Sequence, residues 1–294
     1  MCNYMQVDIF LAMRPRHWLK NLLILVAPLG AAALTLNNVG AILGAFLGFS
    51  LTASATYLVN DVADRHRDRA HPHKQHRAIA AGRVHVAAAL AVAGVLFVVA
   101  GIVSWLVSPA FLAVVTAYLV ATIIYSFWLK TAPAIDIVML ALFFVLRIIA
   151  GGIAVEVAVS SWLLATSFFV FLSIAAAKRV IELKTMRSSS DEVFVGGRGY
   201  LASDHDVVLT AGVGSGIASA LLLGLYLESG SANLGLEVPQ LMWVAIPLWI
   251  YWMLRFWIFV SRDKVNHDPV EFVLKDWVSY LTVTAMAVLV YLAQ

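Results

Sequence analysis

Long apolar segments recur along almost the whole chain and constrain its fold more than any other feature. A helix needs about 20 mostly apolar residues to cross a bilayer. Segments that approach this length are predicted at about 22–36, 41–59, 86–107, 110–128, 135–155, 161–177, 207–228, 241–260 and 276–293. Helices are expected because each satisfies its own backbone hydrogen bonds in lipid, and Leu140–Leu146 lacks the alternation of a barrel strand. The sequence therefore predicts an all-α integral membrane protein with nine transmembrane helices.

The composition agrees with this fold class. Hydrophobic residues make up 62% of the 294 residues and charged residues 13%, whereas about a quarter of the residues in a soluble domain are charged. A soluble enzyme and a disordered chain are excluded, and the single cysteine excludes an internal disulfide scaffold. Since no segment has the composition of a detachable soluble domain, we predict one membrane domain over residues 1–294.

The positions of lysine and arginine predict the orientation in the membrane. Outside the predicted spans, every lysine and arginine lies within 1–21, 60–85, 129–134, 178–206 or 261–275. The loops at the opposite ends of the spans contain no lysine or arginine. The positive-inside rule then predicts a cytoplasmic, interfacial N-terminal segment (residues 1–21), an external C-terminus and location in the cell inner membrane. The two long loops, 60–85 and 178–206, both fall on the cytoplasmic side, where we expect the active site to open.

The first long loop opens with a cluster of carboxylates. If the second predicted helix continues through it, Asp61, Asp64 and Asp68 lie within about 60° of one another on one face. Asn60 lies one turn before Asp64. Oxygen ligands of this kind suit Mg²⁺, which also binds substrate phosphates. The alternative is a solvated helix end in which the carboxylates pair with Arg65, Arg67 and Arg69. The three aspartates share one helical face, and the arginines mostly occupy other faces. This arrangement favours the metal site over the ion-paired helix end.

Basic residues follow this carboxylate cluster. Pro72 ends the helix, and Lys74 and Arg77 come next in the loop. Cations beside a metal-bound carboxylate cluster fit a diphosphate, although orientation in the membrane and contact with anionic lipids also explain them. The neighbouring histidines lack cysteine partners and tight spacing, which argues against zinc.

The pattern Asn-Asp-x-x-Asp-x-x-x-Asp, followed by His-Pro-x-Lys-x-x-Arg and Ala-Gly, resembles the UbiA-type prenyltransferase superfamily. The likeness covers essentially the whole chain. It implies a helical bundle around a lipid-facing central cavity, with the two long loops as a cytoplasmic cap and active-site loops. It also implies a diphosphate held through Mg²⁺, a membrane-lipid environment and no nucleic-acid partner.

The second long loop departs from the usual family pattern. Lys178, Arg179 and Glu182 stand where typical members carry a second Asp-x-x-x-Asp motif. This departure, together with the stretches 14–21 and 125–130, is similar to the phosphoribosyltransferase branch of the family. That branch implies transfer of 5-phosphoribose from phosphoribosyl diphosphate to a polyprenyl phosphate, with release of diphosphate. The lipid product would be an arabinose-donor precursor for envelope glycans.

The resemblance implies a role for each candidate residue. Asp61, Asp64 and Asp68 would hold Mg²⁺ and the diphosphate leaving group, with Asn60 as a further ligand. Substrate-binding candidates are Asn60, Lys20, Lys74, Arg77, Tyr125, Lys130, Asp136, Arg147, Lys178, Arg179 and Glu182. Arg147 lies inside a predicted span, where it binds a ligand phosphate or serves as a hydrogen-bonding hub.

Other interpretations stay open at this level. One is transfer of a prenyl group to an aromatic acceptor such as a quinone precursor, and another is a transporter or lipid-binding scaffold. The loop 186–206 is either a lid or a plain connector. Gly151, Gly152, Gly212, Gly214 and Gly216 predict close helix packing. The oligomeric state is not predicted.

Overall fold

The computed structural model describes residues 2–31, 33–70, 74–187, 199–228, 238–265 and 268–293. Within these ranges all regular structure is helical. The α-helices are α1 (Cys2–Ala12), α2 (Val26–Gly30), α3 (Val39–Ala63), α4 (Arg65–Ala70), α5 (Val86–Val107), α6 (Pro109–Phe127), α7 (Ile135–Ala154), α8 (Ser161–Arg187), α9 (His205–Glu228), α10 (Ala245–Ser261), α11 (Pro269–Val273) and α12 (Trp277–Ala293). Short 3₁₀ helices cover Pro15–Leu25, Leu36–Asn38, Leu129–Thr131, Ala202–Asp204 and Pro239–Val244.

The chain is a multi-pass membrane protein. Over the described residues, seven helices are long and apolar enough to cross a bilayer, and α12 is a shorter apolar helix of 17 residues. Several predicted spans agree closely with observed helices, and the span predicted at 86–107 coincides with α5. Nine spans, a cytoplasmic cap and a central cavity are finer predictions that these helices do not establish.

The first predicted span is the main difference from the sequence-based expectation. The segment predicted as a helix over about 22–36 contains the end of the 3₁₀ helix Pro15–Leu25, the five-residue α2 and, at 33–35, residues outside any helix. Proline cannot donate a backbone hydrogen bond to the preceding turn, and Pro28 lies within α2. The prediction of one continuous spanning helix there is therefore wrong.

Residues 1–127 and 146–159 form one of two compact units, here called unit 1. One of its buried clusters joins α1, α3 and α5 to the loop that precedes α5, through the residues Ala12, Ala55, Leu58, Ala78, Ile79, Val84, Ala89 and Ala93. Because Ala78, Ile79 and Val84 are buried, the apolar core anchors the second half of this loop. The loop thus holds its polar residues at defined positions next to α3.

Residues 128–145 and 160–294 form unit 2, whose core includes α8, α9 and α10. Small and polar residues bring these helices together. The Ser173 hydroxyl donates a 2.7 Å hydrogen bond to the Gly212 carbonyl and accepts a 3.0 Å hydrogen bond from the Trp257 indole. Hydrogen bonds of this kind add to van der Waals packing in the association of membrane helices.

The glycines explain how closely the helices approach. A Cβ atom on Gly151 would lie 1.9 Å from the Ile24 carbonyl oxygen, and one on Gly212 would lie 2.4 Å from the Trp257 ring. Both positions therefore require glycine, as the packing prediction expected, and Gly152 and Gly216 also face close neighbours. Gly214 has no neighbour within 4 Å of such a Cβ. The prediction that Gly214 packs closely is therefore wrong.

Gly212→Ala should destabilise unit 2, because the added methyl group overlaps the buried Trp257 ring. Overpacking of this kind costs about 1–3 kcal/mol. The matched control is Gly214→Ala, where helix propensity alone should raise stability slightly. Thermal unfolding of the purified protein in detergent should show a lower Tm for Gly212→Ala only, and equal Tm values for the two variants would contradict this packing.

Candidate active site

The segment that follows α1 in unit 1 begins with a strained arginine. Arg14 has a left-handed backbone with φ of 54°, an uncommon conformation for a residue other than glycine. Its guanidinium carbon lies 4.7 Å from the centre of the Tyr57 ring, and its Nη2 donates a 2.6 Å hydrogen bond to Asp61. Strained backbone tends to occur at functional sites, and here it accompanies the placement of one cation against a buried carboxylate.

The rest of this segment lies along one face of α3. The Trp18 indole donates a 2.9 Å hydrogen bond to the Ser54 hydroxyl, and the Asn21 amide donates a 3.0 Å hydrogen bond to Ser50. Ser50, Ser54 and Asp61 share a helical face because they are four and seven residues apart. The Arg-Pro-Arg-His-Trp-Leu-Lys-Asn stretch therefore fixes the N-terminal segment against the helix that carries Asp61.

Asp61 and Asp68 converge on a single cation. Arg77 Nη1 donates a 3.0 Å hydrogen bond to Asp61 and a 2.9 Å hydrogen bond to Asp68. The two distances bound the separation of the accepting oxygens at about 6 Å. Asp61 and Asp68 are both buried, and a buried carboxylate is strongly destabilising unless it is paired. Arg77 thus satisfies both carboxylates together.

Asp64 does not join this pair. Helix α3 ends at Ala63, Asp64 occupies the intervening turn, and α4 begins at Arg65. The Asp64 side chain is 31% exposed and lies 3.8 Å from Arg67. The described residues include no group of three or more His, Cys, Asp or Glu side chains that could hold a metal ion. The predicted three-carboxylate cluster is thus not found among the described residues, although the main-chain hydrogen bonds from Asp64 to Asn60 and from Asp68 to Asp64 continue the helical pattern through this turn.

The pair of carboxylates still fits a magnesium-bound diphosphate. Mg²⁺ keeps several waters and typically takes one or two protein carboxylates together with substrate phosphates. Asp61 and Asp68 both accept a hydrogen bond from Arg77, so the two carboxylates are turned towards the same positive group. Asp61 and Asp68 would therefore hold the ion, and Arg14 and Arg77 lie beside them to contact the phosphates.

Arg147 is buried in the same unit. Its Nε donates a 2.8 Å hydrogen bond to the Asn21 amide oxygen, and its Nη2 donates a 3.0 Å hydrogen bond to the Tyr118 hydroxyl. Its guanidinium carbon also lies 5.9 Å from the centre of the Phe49 ring. These contacts correspond to the hydrogen-bonding hub that was one of the two predicted roles.

In unit 2 the predicted substrate residues form an ion-paired group. Arg179 is completely buried and donates to Asp136 through Nε and, at 3.0 Å, through Nη2. Arg179 Nη1 donates to Glu182. Asp136 is also completely buried. All three guanidinium nitrogens are therefore engaged by carboxylates of the same unit, and Arg179 serves to neutralise Asp136 in this conformation rather than to present its charge to a phosphate.

The remaining predicted residues are half-buried; Lys20 and Lys178 lie inside helices, and the others lie at helix ends, in a short 3₁₀ turn or in a loop. They are Lys20, Asn60, Lys74, Tyr125, Lys130 and Lys178. The predicted lid or connector lies partly outside the described residues, which omit 188–198. Where the chain resumes, the buried Tyr200 hydroxyl accepts a 2.9 Å hydrogen bond from the backbone of Ala134.

Three residues beside the carboxylates were not among the candidates from sequence. Arg14 contacts Asp61 directly, whereas Asp8 and Arg83 pair with each other at 3.1 Å. The motif that contains Arg14 was recognised, but its left-handed backbone has no sequence signature. Asp8 and Arg83 are 75 residues apart, and nothing in their local sequence links them.

Arg179→Met should strongly destabilise the protein, because Asp136 would be left buried without its partner. Breaking a buried ion pair typically costs about 3–5 kcal/mol. In a double-mutant cycle, Asp136→Asn combined with Arg179→Met should be less destabilised than the sum of the single variants. Thermal unfolding in detergent measures each effect, with Lys178→Met as the matched control. A wild-type Tm for Arg179→Met would contradict the structural role.

A sequence model described as the UbiA prenyltransferase family matches residues 21–279 of this chain. The uncharacterized protein y4nM of Sinorhizobium fredii is 34% identical over 277 residues, which cover 91% of this chain and 52% of y4nM. This chain thus spans about half the length of that relative. Decaprenyl-phosphate phosphoribosyltransferase of Mycolicibacterium smegmatis is 35% identical over 279 residues, which cover 90% of this chain and 85% of that protein.

The solved structures agree on the fold. The structure of a UbiA homologue from Archaeoglobus fulgidus bound to DMAPP and Mg²⁺ has a TM-score of 0.71 with this chain at 16% identity. The match covers 97% of this chain and 99% of that chain. At this identity the likeness establishes the fold and leaves the substrate to be argued from the residues of this chain.

Proposed function

We propose that this chain, which belongs to the UbiA prenyltransferase family, transfers 5-phosphoribose from phosphoribosyl diphosphate to a polyprenyl phosphate. The products are diphosphate and polyprenyl-phosphoryl-5-phosphoribose. The observation that carries this proposal is the carboxylate pair Asp61 and Asp68, which converges on Arg77 and has Arg14 beside it. The identity to a relative named decaprenyl-phosphate phosphoribosyltransferase supports the same assignment.

Each unit, taken by itself, carries charges that bear on the choice of substrate. In unit 1 a carboxylate pair suits one metal-bound diphosphate. In unit 2 the basic residues Lys178 and Arg179 replace a second acidic motif, and Arg179 neutralises Asp136. Transfer of a prenyl group to an aromatic acceptor by an enzyme with two metal-bound acidic motifs would call for carboxylates at that position. A phosphorylated acceptor is compatible with Lys178 there.

The proposed mechanism depends on positioning and electrostatics. Bound Mg²⁺ would neutralise the diphosphate and make it a better leaving group. Asp61 and Asp68 would hold the ion, while Arg14 and Arg77 orient the phosphate oxygens. An oxygen of the lipid phosphate forms a bond to the anomeric carbon, and the bond from that carbon to diphosphate breaks with its electron pair. Because the phosphate is already ionised, the attack requires no strong general base.

The placement in the membrane is part of the proposal. The basic residues of the loop 60–85 and of the segment 178–187 would lie on the cytoplasmic side of the inner membrane. Soluble phosphoribosyl diphosphate would then reach the carboxylate pair from the cytoplasm. The lipid tail of the acceptor would lie among the spanning helices.

The test is an assay of purified full-length protein in detergent with phosphoribosyl diphosphate and polyprenyl phosphate. We expect Mg²⁺-dependent release of diphosphate. We also expect mass spectrometry to detect a lipid that is heavier by one phosphoribosyl group. Asp61→Asn and Asp68→Asn should each lower turnover by about a hundredfold or more, since each removes a charge that holds the leaving group.

The matched control is Asp263→Asn, because Asp263 is a highly exposed carboxylate that pairs with Lys184 in unit 2. It should retain wild-type turnover. Turnover of a prenyl diphosphate with an aromatic acceptor, without any phosphoribosyl lipid, would overturn the proposal in favour of aromatic prenyl transfer. Release of neither product would overturn both enzymatic proposals.

A further inference from the structure

A cavity of about 260 Å³ adjoins the carboxylate pair in unit 1. The end of α1 supplies one wall, α3 supplies Asp61, and the loop before α5 supplies the remainder. Its polar lining consists of Asp8, Arg14, Asp61, His76, Arg77 and Arg83. Three guanidinium groups and two carboxylates line this space. The lining residues therefore have a net positive charge when the histidine is counted as neutral.

The outer arginine is held by contacts that leave part of its guanidinium available. Arg83 Nε donates to both Asp8 oxygens at 3.1 and 3.2 Å, and its Nη2 donates a 2.9 Å hydrogen bond to the His76 carbonyl. Its Nη1 donates no hydrogen bond within the described residues. Arg83 is therefore fixed in orientation while one edge of its planar group retains donors.

Arg14 and Arg77, here called the inner arginines, also have N–H groups that donate to no side chain of the described residues. Arg14 uses only Nη2 and Arg77 uses only Nη1 in hydrogen bonds to side chains of the described residues. An arginine has five N–H donors in a planar fork that matches phosphate oxygens. Three such groups around one open space are suited to a doubly charged tetrahedral anion.

We propose that this cavity binds a phosphate monoester beside the diphosphate, with Arg83 as its outer ligand and, as its inner ligands, the N–H groups of Arg14 and Arg77 that the diphosphate does not use. The identity of the monoester rests on the proposed function, which offers two sources. One is the 5-phosphate of the sugar donor, and the other is the phosphate of the lipid acceptor. Leu11 lines the same cavity and is 62% exposed, so an apolar chain could leave it along α1.

The test measures binding to the full-length protein in detergent by calorimetry, without Mg²⁺. Ribose 5-phosphate and the short lipid analogue farnesyl phosphate represent the two sources, and unphosphorylated ribose is the blank. Arg83→Gln should weaken binding of one monoester by about tenfold, as expected for loss of a charged hydrogen bond. The monoester affected identifies the source. Arg262→Gln, which alters an exposed arginine in unit 2, is the matched control.

A second variant separates anion binding from a structural tie between α1 and the loop. Asp8→Asn removes the same ion pair as Arg83→Gln but makes the cavity more positive. Asp8→Asn should therefore bind the monoester at least as tightly as wild type, whereas Arg83→Gln binds it more weakly. Arg83 is about half exposed and Asp8 is 19% exposed, and an ion pair near the surface contributes little to stability, so both variants should fold.

Two results would overturn the proposal: unchanged affinity for both monoesters in Arg83→Gln, or equal weakening in Asp8→Asn and Arg83→Gln. The result of this binding test is independent of the result of the activity assay for the proposed function. Phosphoribosyl-lipid synthesis with an unaffected Arg83→Gln affinity would remove the cavity proposal alone. Arg83-dependent monoester binding without phosphoribosyl-lipid synthesis would remove the proposed reaction alone.

Discussion

The hydrogen bonds from Arg77 to Asp61 and Asp68 are the interaction on which the candidate site depends. Two buried carboxylates at this separation would repel each other and would be costly to desolvate without a shared cation. Arg77 comes from the loop before α5, so the same interaction joins that loop to α3 and α4. Arg14 adds the N-terminal segment to the same carboxylate. The ends of several elements are thus positioned by one small group of charges.

The two units use buried charge in different ways. In unit 2, Asp136 and Glu182 occupy every guanidinium nitrogen of Arg179, which makes a closed ion-paired group. In unit 1, Arg14 and Arg77 bind carboxylates through one nitrogen each. An arginine whose three guanidinium nitrogens all bind carboxylates stabilises the helices that it joins. An arginine that binds carboxylates through one nitrogen is suited to a ligand, because its other nitrogens can donate to it. This contrast is the physical reason for assigning the phosphate chemistry of the sugar donor to unit 1.

Much of the helical architecture could be predicted from sequence because uninterrupted apolar segments have to be helical in lipid. The agreement is close at 86–107, where no proline or charge interrupts the segment. The prediction was wrong at about 22–36, since apolar composition alone does not reveal a 3₁₀ helix or a short α-helix that ends at Gly30. The packing of Gly212 could be expected from its position in an apolar helix, but the contrast with Gly214 depends on the location of Trp257.

The candidate site was predictable in its residue types and less so in its geometry. Asp61, Asp68 and Arg77 were candidates because carboxylates followed by cations suit a metal-bound diphosphate. The partial exposure of Asp64 could not be predicted from the helical spacing, which places all three carboxylates on one face. The pairing of Arg179 with Asp136 joins positions 43 residues apart. The left-handed backbone of Arg14 likewise depends on tertiary contacts rather than on its neighbours in sequence.

The most direct test of the carboxylate pair as the metal–diphosphate site is electron paramagnetic resonance with Mn²⁺ in place of Mg²⁺. In the presence of phosphoribosyl diphosphate, wild-type protein should give a bound Mn²⁺ signal with coupling to phosphorus. Asp61→Asn and Asp68→Asn should lose that signal, while Asp263→Asn retains it. A phosphorus-coupled signal that survives in both carboxylate variants would contradict the assignment of the metal to Asp61 and Asp68.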